Sequence, residues 1–135
     1  MRYKRHLLLP QLDMAGQECL LDASVLVVGT GGLGSPVLMY LAAAGVGKLY
    51  LYDDDTVEIS NIQRQILFDN SVLGLSKAET AAERLRLINP DCEVVAVASR
   101  LEAEMLLNAI SKVDLVIDCS DTFDTRFAVN QACVE

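Results

Sequence analysis

The fold of this chain is decided by one stretch near its start, SVLVVGTGGLG at residues 24–34. The aliphatic run at 24–28 has the composition of a buried β-strand, and a glycine-rich loop follows directly. The loop has the glycine spacing GxGxxG and one further glycine, at Gly29, Gly31, Gly34 and Gly32. Such a loop can hold a phosphate on backbone N–H groups where it opens a helix, or it can be a tight turn that needs glycine only for packing. Its place between a strand and a helix favours nucleotide binding.

Strands and helices alternate outward from this stretch. The predicted strands are residues 24–28, 48–52, 93–98 and 115–118, and the predicted core helices are residues 36–45, 77–89, 102–112 and 125–135. This alternation predicts βαβ units and a parallel sheet, and right-handed crossovers predict the strand order 3-2-1-4. The expected fold class is therefore α/β, a Rossmann-like parallel sheet with flanking helices.

The length of 135 residues fits a single domain. Residues 1–22 are predicted to form an N-terminal helical arm, and residues 23–135 the Rossmann-like core. In the first core helix, Ser35 is expected to be the N-cap and Pro36 the first helical residue. The last predicted helix reaches residue 135 without a cap, so we interpret the chain as truncated at its C-terminus.

Composition limits the partners and the compartment. The net charge of −8 argues against nucleic-acid binding and against an anionic membrane surface. The apolar run at residues 7–9 is too short for a signal peptide or a membrane span. The four cysteines form no CxxC pair, which argues against a zinc site and predicts a reduced, cytoplasmic location. All four are interpreted as buried thiols.

Acidic residues follow the strands whose carboxyl ends should meet. Asp53 comes after the second strand, where an acid in this fold accepts hydrogen bonds from ribose hydroxyls, and Asp54 and Asp55 either share that role or are solvated. Asp121 follows the fourth strand and should face the glycine loop across the crevice where ligands bind. A carboxylate beside a triphosphate needs an intervening cation, so Asp121 is a candidate magnesium ligand. The alternative is that Asp121 caps the next helix.

A polar stretch at residues 56–75 is longer than most loops in compact domains, and loops of this length are usually functional. It contains the run SNIQRQ at residues 60–65, and a capping-box pattern at residues 76–79 then opens a helix. Lys77 lies in the first turn, where the helix dipole disfavours a cation, so a negative ligand nearby would explain it. The alternatives are an exposed lysine at Lys77 and a surface salt bridge at Arg64.

Taken together, these residues resemble the ThiF/MoeB/HesA family of E1-like activating enzymes. The resemblance spans essentially the whole chain and is carried by RYKRH at 2–6, GQ at 16–17, GTGGLG at 29–34, DDD at 53–55, SNIQRQ at 60–65, Lys77, NP at 89–90 and DCSD at 118–121. It implies an adenylyltransferase that uses ATP and Mg²⁺ and acts on the C-terminal glycine carboxylate of a ubiquitin-like sulfur-carrier protein. Pyrophosphate would be released, and the pathway would be thiamin or molybdopterin biosynthesis.

The resemblance also implies roles for individual residues. Asp53 would hold the ribose, and Asp121 would bind the magnesium ion. Arg5 resembles an arginine that reaches into the partner subunit's site, which implies a homodimer. The implied catalytic set is Arg5, Asn61, Arg64, Lys77 and Asp121. The implied nucleotide-binding set is Gly29, Gly31, Gly32, Gly34, Asp53, Asp55, Ser60, Asn61, Gln63, Arg64, Lys77, Asp121 and Thr122.

Two features depart from the family's pattern. Thr122 stands where the family usually has asparagine, which would weaken a polar contact without abolishing magnesium binding. The family's later half, with its CxxC zinc pairs and the loop that receives the carrier's tail, has no counterpart in these residues. Structural Zn²⁺ would belong only to that half, and these residues are expected to be weakly active or inactive alone.

Other functions compete with this interpretation. The glycine loop and Asp53 would serve a NAD-dependent oxidoreductase equally well, but that function explains neither Arg64 nor Lys77 nor Asp121. A non-catalytic dimerisation module would not require those three side chains either. Within the family, activation of a small molecule or a tRNA base is a further alternative, and the residues do not separate these substrates.

Overall fold

The structure is a computed structural model that describes the backbone of residues 1–135 and every side chain except that of residue 103. Its helices are α1 (Lys4–Leu7), α2 (Asp13–Asp22), α3 (Gly34–Ala44), α4 (Lys77–Ile88), α5 (Ala103–Ile110) and α6 (Phe123–Val134). Its strands are β1 (Ser24–Val28), β2 (Lys48–Tyr52), β3 (Glu93–Val97) and β4 (Leu115–Asp118), and short 3₁₀ turns lie at Ile59–Asn61 and Asn70–Val72.

The strands form one parallel, four-stranded sheet in the order β3-β2-β1-β4. This confirms the predicted fold class and strand order. In the register of the sheet, Val28 of β1 pairs with Tyr52 of β2 and with Asp118 of β4. The carboxyl ends of these strands therefore lie side by side, and the loops that follow them meet at one edge of the sheet.

Helices cover both faces of the sheet. Because successive side chains of a strand point to opposite faces, Val25 and Val27 of β1 belong to the core beneath α3 and α4. Leu26 and Val28 belong to the core beneath α5 and α6. Both faces of β1 are thus buried, which accounts for the unbroken aliphatic composition that predicted this strand.

The N-terminal arm is fastened to the carboxyl end of α3. The side-chain nitrogen of the buried Asn89 donates at 2.8 Å to the carbonyl of Ala42 and at 2.8 Å to the hydroxyl of Tyr3. The Tyr3 ring also lies against Gly45, where an added Cβ would come within 2.6 Å of the ring. A residue that ends α4 therefore joins the arm to the last turn of α3.

A second fastening lies beside the first. The side-chain nitrogen of Gln17 in α2 donates to the carbonyl of Ala44 at 3.1 Å, and the side-chain oxygen of Gln17 lies 2.7 Å from His6 Nδ1. Because that oxygen can only accept, His6 Nδ1 carries the proton. The last carbonyls of a helix have no hydrogen-bond partner within the helix. The side chains of Gln17 and Asn89 donate to such carbonyls of α3 and also bind the arm.

Some predicted details of the helices are wrong. α3 begins at Gly34 without a side-chain cap, and Ser35 lies inside the helix, where its hydroxyl donates to the carbonyl of Thr30 at 3.0 Å. Pro36 is then the third residue of the helix and not the first. The glycine loop runs directly into the helix, which leaves no position for a separate capping residue. By contrast, Ser76 caps α4 as predicted, since its side chain accepts from the N–H of Glu79.

The cysteines do not all lie in the core. Cys92 and Cys119 are buried, but Cys19 and Cys133 are exposed, so the interpretation of all four as buried thiols is wrong. Burial raises the pKa of Cys92 to about 11 and raises the pKa of Cys119 as well. No helix in the described part of the chain has the length and apolar composition of a membrane span.

Candidate functional site

A cavity of about 570 Å³ opens at the carboxyl ends of β1, β2 and β4. Its walls come from the glycine loop, the acidic run after β2, the loop before α4, the turn after β3 and the turn after β4. The lining residues that carry polar side chains are Asp53, Asp54, Asp55, Arg64, Gln65, Lys77, Ser99, Arg100, Ser120, Asp121, Thr122, Thr125 and Arg126. The sequence predicted a site at this edge of the sheet, and the structure forms a cavity there.

The glycine loop lines the cavity and packs closely against the turn after β4. Gly29 has φ of 91°, in the left-handed region that favours glycine, and an added Cβ would lie 2.9 Å from the carbonyl of Cys119. An added Cβ on Gly34 would collide with the carbonyl of Gly29. Gly29 and Gly34 are therefore required by packing, and the tight-turn interpretation holds for these two positions. Gly31 and Gly32 face the cavity.

Asp53, which follows β2, forms hydrogen bonds with the glycine loop. Its carboxylate accepts from the backbone N–H and from the hydroxyl of Thr30, both at 2.8 Å, and from the backbone N–H of Asp55 at 2.9 Å. The sequence predicted a ribose contact for this residue and missed the link to the loop. A carboxylate has about four acceptor positions, so one remains for a ligand hydroxyl after these three hydrogen bonds.

Lys77 is the only buried charged residue in the part of the chain whose burial is described, with 5% of its surface exposed. Its ammonium nitrogen lies 3.4 Å from the carboxylate of Asp55, and its backbone N–H donates to the carbonyl of Asp55 at 3.0 Å. The interpretation of Lys77 as an ordinary exposed lysine is therefore wrong. The first turn of α4 directs this ammonium into the cavity wall, and the exposed Asp55 carboxylate only partly neutralises it.

Arg64 lines the same cavity as Lys77. Its guanidinium donates to the carbonyl of Ser60 at 3.1 Å, and its aliphatic stem runs past Gly32, where an added Cβ would be 3.6 Å from Cδ. The main chain thus fixes the guanidinium next to the glycine loop. Arg64 therefore provides a second positive charge in the cavity wall.

Several predicted residues do not line the cavity. Asn61 shapes its own turn, because its side-chain oxygen accepts from the N–H of Glu58 at 3.3 Å. Ser60 and Gln63 are exposed beside that turn. Arg5 is exposed on α1, and the neighbouring arm residues are fastened at the carboxyl end of α3. The glycine loop lies at the amino end of α3, about 16 Å away for a helix of this length.

The turn after β4 places a carboxylate at the cavity. Asp118 accepts from the N–H and the hydroxyl of Ser120, and this fixes the turn. The cap of α6 is Thr122, whose side chain accepts from the N–H of Thr125, so the alternative that Asp121 caps this helix is wrong. The exposed carboxylate of Asp121 is left to the cavity that it lines.

The acidic groups have the chemistry of a magnesium site. Carboxylate oxygens of Asp53, Asp54 and Asp55 lie within 4.8 Å of one another, and Asp121 lines the same cavity from the turn after β4. Magnesium prefers oxygen ligands, and it usually binds one or two carboxylates together with substrate phosphates. The residues present therefore fit this ion in the presence of a phosphate ligand.

Sequence reasoning missed lining residues that follow the outer strand β3 and lining residues that lie within α6. Ser99, Arg100 and Leu101 come from the turn after β3. Arg126 of α6 donates from two guanidinium nitrogens to the carbonyl of Ser120, at 3.2 and 3.1 Å. Ligands in sheets of this kind bind beyond the carboxyl ends of the strands. This rule predicted Asp53 and Asp121, and it would also have indicated residues 99–101.

Comparisons with known proteins agree with this geometry. The sequence model of the ThiF family matches residues 3–135. The chain is 47% identical over 134 residues to the sulfur carrier protein ThiS adenylyltransferase of Escherichia coli (strain K12), covering 99% of this chain and 53% of the relative. It is 46% identical over 134 residues to a probable molybdopterin-synthase adenylyltransferase of Porphyra purpurea, covering 99% of this chain and 35% of the relative. The chain thus spans about half, or less, of the length of these relatives.

A similar solved structure carries a nucleotide. It is the E. coli tRNA N6-threonylcarbamoyladenosine dehydratase TcdA in complex with ATP, with a TM-score of 0.83 and 36% sequence identity. The match covers 87% of this chain and 49% of that protein. The similarity therefore extends over most of this chain.

Proposed function

The chain belongs to the ThiF family, and on this basis we propose that it is the nucleotide-binding part of an E1-like adenylyltransferase. Its substrates are ATP and the C-terminal glycine carboxylate of a ubiquitin-like sulfur-carrier protein. The names of the two curated relatives support this proposal, because one acts on ThiS and the other on the molybdopterin-synthase system.

The proposed reaction joins the carrier to AMP. A carboxylate oxygen of the carrier attacks the α-phosphorus of ATP, the bond from that phosphorus to the bridging oxygen breaks, and pyrophosphate leaves with the electron pair. A C-terminal carboxyl has a pKa of about 3.5, so it is ionised at neutral pH and needs no general base. The barrier lies in bringing one anion to another, which positive charges and N–H donors lower.

The cavity supplies both kinds of group. Gly31 and Gly32 leave the backbone of the loop accessible at the start of α3, where N–H groups favour phosphate. Lys77 and Arg64 provide two positive charges in the wall of the same cavity. Asp53 has one acceptor position left for a ribose hydroxyl and also holds the loop through Thr30. Each of these residues binds or orients ATP in the proposal.

Magnesium would be held by Asp121, with the acidic run at residues 53–55 nearby. The ion would neutralise charge on the phosphates when bound. Thr122 caps α6 through its side chain and lines the cavity next to Asp121. Ser60, Asn61 and Gln63 lie beside the cavity and would contact a longer ligand or the carrier.

Arg5 is proposed to act on the cavity of a partner subunit in a homodimer. Its arm is fastened about one helix length from the glycine loop of its own subunit. That separation is longer than an arginine side chain, which supports a contact of Arg5 with the ATP of a second subunit. The proposed homodimer therefore contains two composite sites.

The observation that carries the proposal is the buried ammonium of Lys77 in the wall of the cavity that the glycine loop also lines, in a chain of this family. The test is ATP–pyrophosphate exchange on the full-length protein, with and without carriers of the ThiS and MoaD types. Exchange that depends on one carrier would support adenylation and identify the pathway. ATP binding without exchange for any carrier would overturn the proposed substrate.

A second candidate function is adenylation of a tRNA base or a small molecule. It is favoured by the similarity to TcdA, which is named as a tRNA-modifying enzyme and was solved with ATP. Exchange stimulated by tRNA and not by carrier proteins would select this alternative. A NAD-dependent oxidoreductase would leave the buried Lys77 and the carboxylate of Asp121 without a role.

A further inference from the structure

The short helix α1 and the residue before it have an inward and an outward face. Tyr3, His6 and Leu7 are half-buried, whereas Lys4 and Arg5 are exposed. Residues three and four positions apart lie on the same face of a helix, so one face of this turn packs against the protein. The guanidinium of Arg5 therefore projects into solvent from a turn whose other side is held.

Arg5 also differs from most arginines of this protein in its side-chain contacts. Within the side chains that the structure describes, its guanidinium forms no hydrogen bond and no ion pair. Five of the seven arginines donate to another residue of the protein, and these are Arg2, Arg64, Arg84, Arg86 and Arg126. All donors of the Arg5 guanidinium are therefore available to an anion from outside its own subunit.

Tyr3 supplies contacts that hold this turn in place. One turn of helix is not stable by itself in water, because nucleation costs more than the first hydrogen bond returns. α1 has only four residues, so its shape depends on contacts from outside the turn. The hydroxyl of Tyr3 accepts from the buried Asn89 at 2.8 Å, and its ring packs so closely that a Cβ added to Gly45 would lie 2.6 Å away. Tyr3 therefore fixes the backbone two residues before Arg5.

The contact between Tyr3 and Asn89 orders the arm and not the core. The side-chain nitrogen of Asn89 also donates to the carbonyl of Ala42, so the end of α3 keeps that hydrogen bond without the tyrosine. In the part of the chain that the structure describes, neither core cluster contains a residue from positions 1–16. A role of Tyr3 in presenting the arm accounts for this contact better than a role in packing the core.

We propose that Tyr3 is a positioning residue for Arg5, because it holds α1 in the conformation that presents the guanidinium to the nucleotide of a partner subunit. The proposal rests on the role of Arg5 in the function proposed above. An arginine on a disordered arm would have to order that arm each time it bound the nucleotide, at an entropic cost for every residue fixed. The fastening of Tyr3 removes this cost before binding.

The test is a double-mutant cycle in the full-length protein with Tyr3→Ala, Arg5→Ala and the double variant. Tyr3→Phe keeps the ring against Gly45 and removes only the hydroxyl. Tyr40→Ala is the matched control, since Tyr40 lies on α3 with 78% of its surface exposed. The dissociation constant of ATP is measured by calorimetry, adenylation by ATP–pyrophosphate exchange, and the order of residues 4–8 by hydrogen exchange.

We expect Arg5→Ala to weaken ATP about 10-fold, the usual effect of losing a hydrogen bond to a charged group. Tyr3→Ala should weaken ATP by up to the same factor, Tyr3→Phe by less, and Tyr40→Ala by less than about 2-fold. Because Tyr3 acts through Arg5, the double variant should bind ATP as Arg5→Ala does. Hydrogen exchange at residues 4–8 should be faster in Tyr3→Ala and unchanged in Arg5→Ala.

Mixing subunits separates an effect on the arm from an effect on the cavity of the same subunit. Tyr3→Ala subunits have an intact cavity, so mixing them with Lys77→Ala subunits should restore exchange in one composite site of each mixed dimer. Mixing Tyr3→Ala with Arg5→Ala subunits should restore nothing, because both arms are then defective. A tyrosine that only stabilised its own subunit would not produce this difference.

Wild-type ATP affinity and exchange in Tyr3→Ala, or losses for Tyr3→Ala and Arg5→Ala that multiply in the double variant, would overturn the proposal. Failure of the proposed function gives different results. If wild type binds ATP without carrier-dependent exchange, adenylation of a carrier is wrong, and the cycle of ATP affinities still decides the role of Tyr3. If Arg5→Ala matches wild type in both measurements, the role of Arg5 and the positioning role of Tyr3 are both wrong.

Discussion

Lys77 and Asp55 contact each other twice, through the ammonium and carboxylate at 3.4 Å and through the backbone N–H and carbonyl at 3.0 Å. The backbone contact fixes the start of α4 relative to the end of β2. The side-chain contact is unequal, since the ammonium is buried and the carboxylate is exposed. The pair therefore does little for stability as an ion pair and instead directs a buried positive charge toward the cavity.

Substitutions of this pair should separate stability from binding. Lys77→Met should change the free energy of unfolding by less than about 1 kcal/mol, because replacing a buried charge with an apolar side chain is often neutral. The same variant should lose most of its ATP affinity. Asp55→Asn leaves the ammonium without its anion and should lower the free energy of unfolding by about 1 kcal/mol. Urea titrations and ATP calorimetry measure both effects, and a Lys77→Met protein that binds ATP normally would contradict the assignment.

The link between Asp53 and Thr30 should control the order of the glycine loop. Asp53→Asn can keep an oxygen on Thr30 only by turning its NH₂ group against the N–H of Asp55, so we expect faster hydrogen exchange at residues 31–34 and weaker ATP binding. Thr30→Val removes only the hydroxyl bond and keeps the backbone bond, so its effect should be the smaller one, about 1 kcal/mol in stability. Hydrogen-exchange mass spectrometry is the measurement, and the same exchange rates in Asp53→Asn and wild type would show that the link is not needed.

Asp121→Ala should abolish magnesium-dependent adenylation by the full-length protein without destabilising the fold. Thr122 caps α6, so the helix keeps its cap in this variant. Thr122→Ala is the complementary control, because it removes the cap of α6 and keeps the carboxylate of Asp121. Loss of the cap should lower the free energy of unfolding by about 1 kcal/mol. Exchange rates measured across a magnesium titration test the pair. Normal activity of Asp121→Ala would mean that the ion is bound by other residues.

Mixed dimers should test the proposed contribution of Arg5 to a partner subunit. Arg5→Ala subunits have an intact cavity, and Lys77→Ala subunits have an intact arm. Mixing the two inactive proteins should restore about a quarter to a half of the activity, because one of the two composite sites in a mixed dimer is complete. Exchange assays on a mixing series measure this recovery. No recovery, with mixed dimers demonstrated by mass spectrometry, would mean that Arg5 does not act across the interface.

Acid should weaken the loop before α4 through Asp69. Hydrogen bonds from Ser71, followed by those from Arg84, lower the pKa of Asp69 to about 2. Because this pKa is lower in the folded protein than in the unfolded chain, the stabilisation is complete above pH of about 4 and is lost as the pH falls toward 2. The stability difference between wild type and Asp69→Asn should therefore shrink across this range. A constant difference in acid denaturation curves would argue against the low pKa.

The fold could be predicted because its signals are local and repeated. The aliphatic run at residues 24–28 predicted β1 and the pattern at residues 76–79 predicted the start of α4, and both are correct within a residue. The N-cap expected at Ser35 was wrong because the glycine loop continues into α3, and local propensity does not include that tertiary requirement. The 3-2-1-4 order followed from connection rules that hold for most parallel sheets.

The cavity was predictable where a residue directly follows a strand, as with Asp53 and Asp121. The burial of Lys77 was not predictable, because it results from the packing of α4 against the acidic run after β2. Gln65 was not identified as a site residue, because the sequence of a polar segment does not show which of its amide side chains is buried. A role that depends on contacts between segments far apart in the sequence can be assigned only from the three-dimensional structure.

The fastening of the arm has a consequence for how the chain acquires its structure. Tyr3 and Asn89 are separated by 86 positions, and Arg2 contacts the carbonyl of Ile88 across the same separation. When a ribosome synthesises this chain, the first residues emerge long before α4 exists to receive them. Loop closure of that length follows the formation of local contacts, so docking of the arm is a late event in folding. We therefore expect the pairing of β1 with β2 and the link from Asp53 to Thr30 to form in newly made chains before Arg5 reaches its final position.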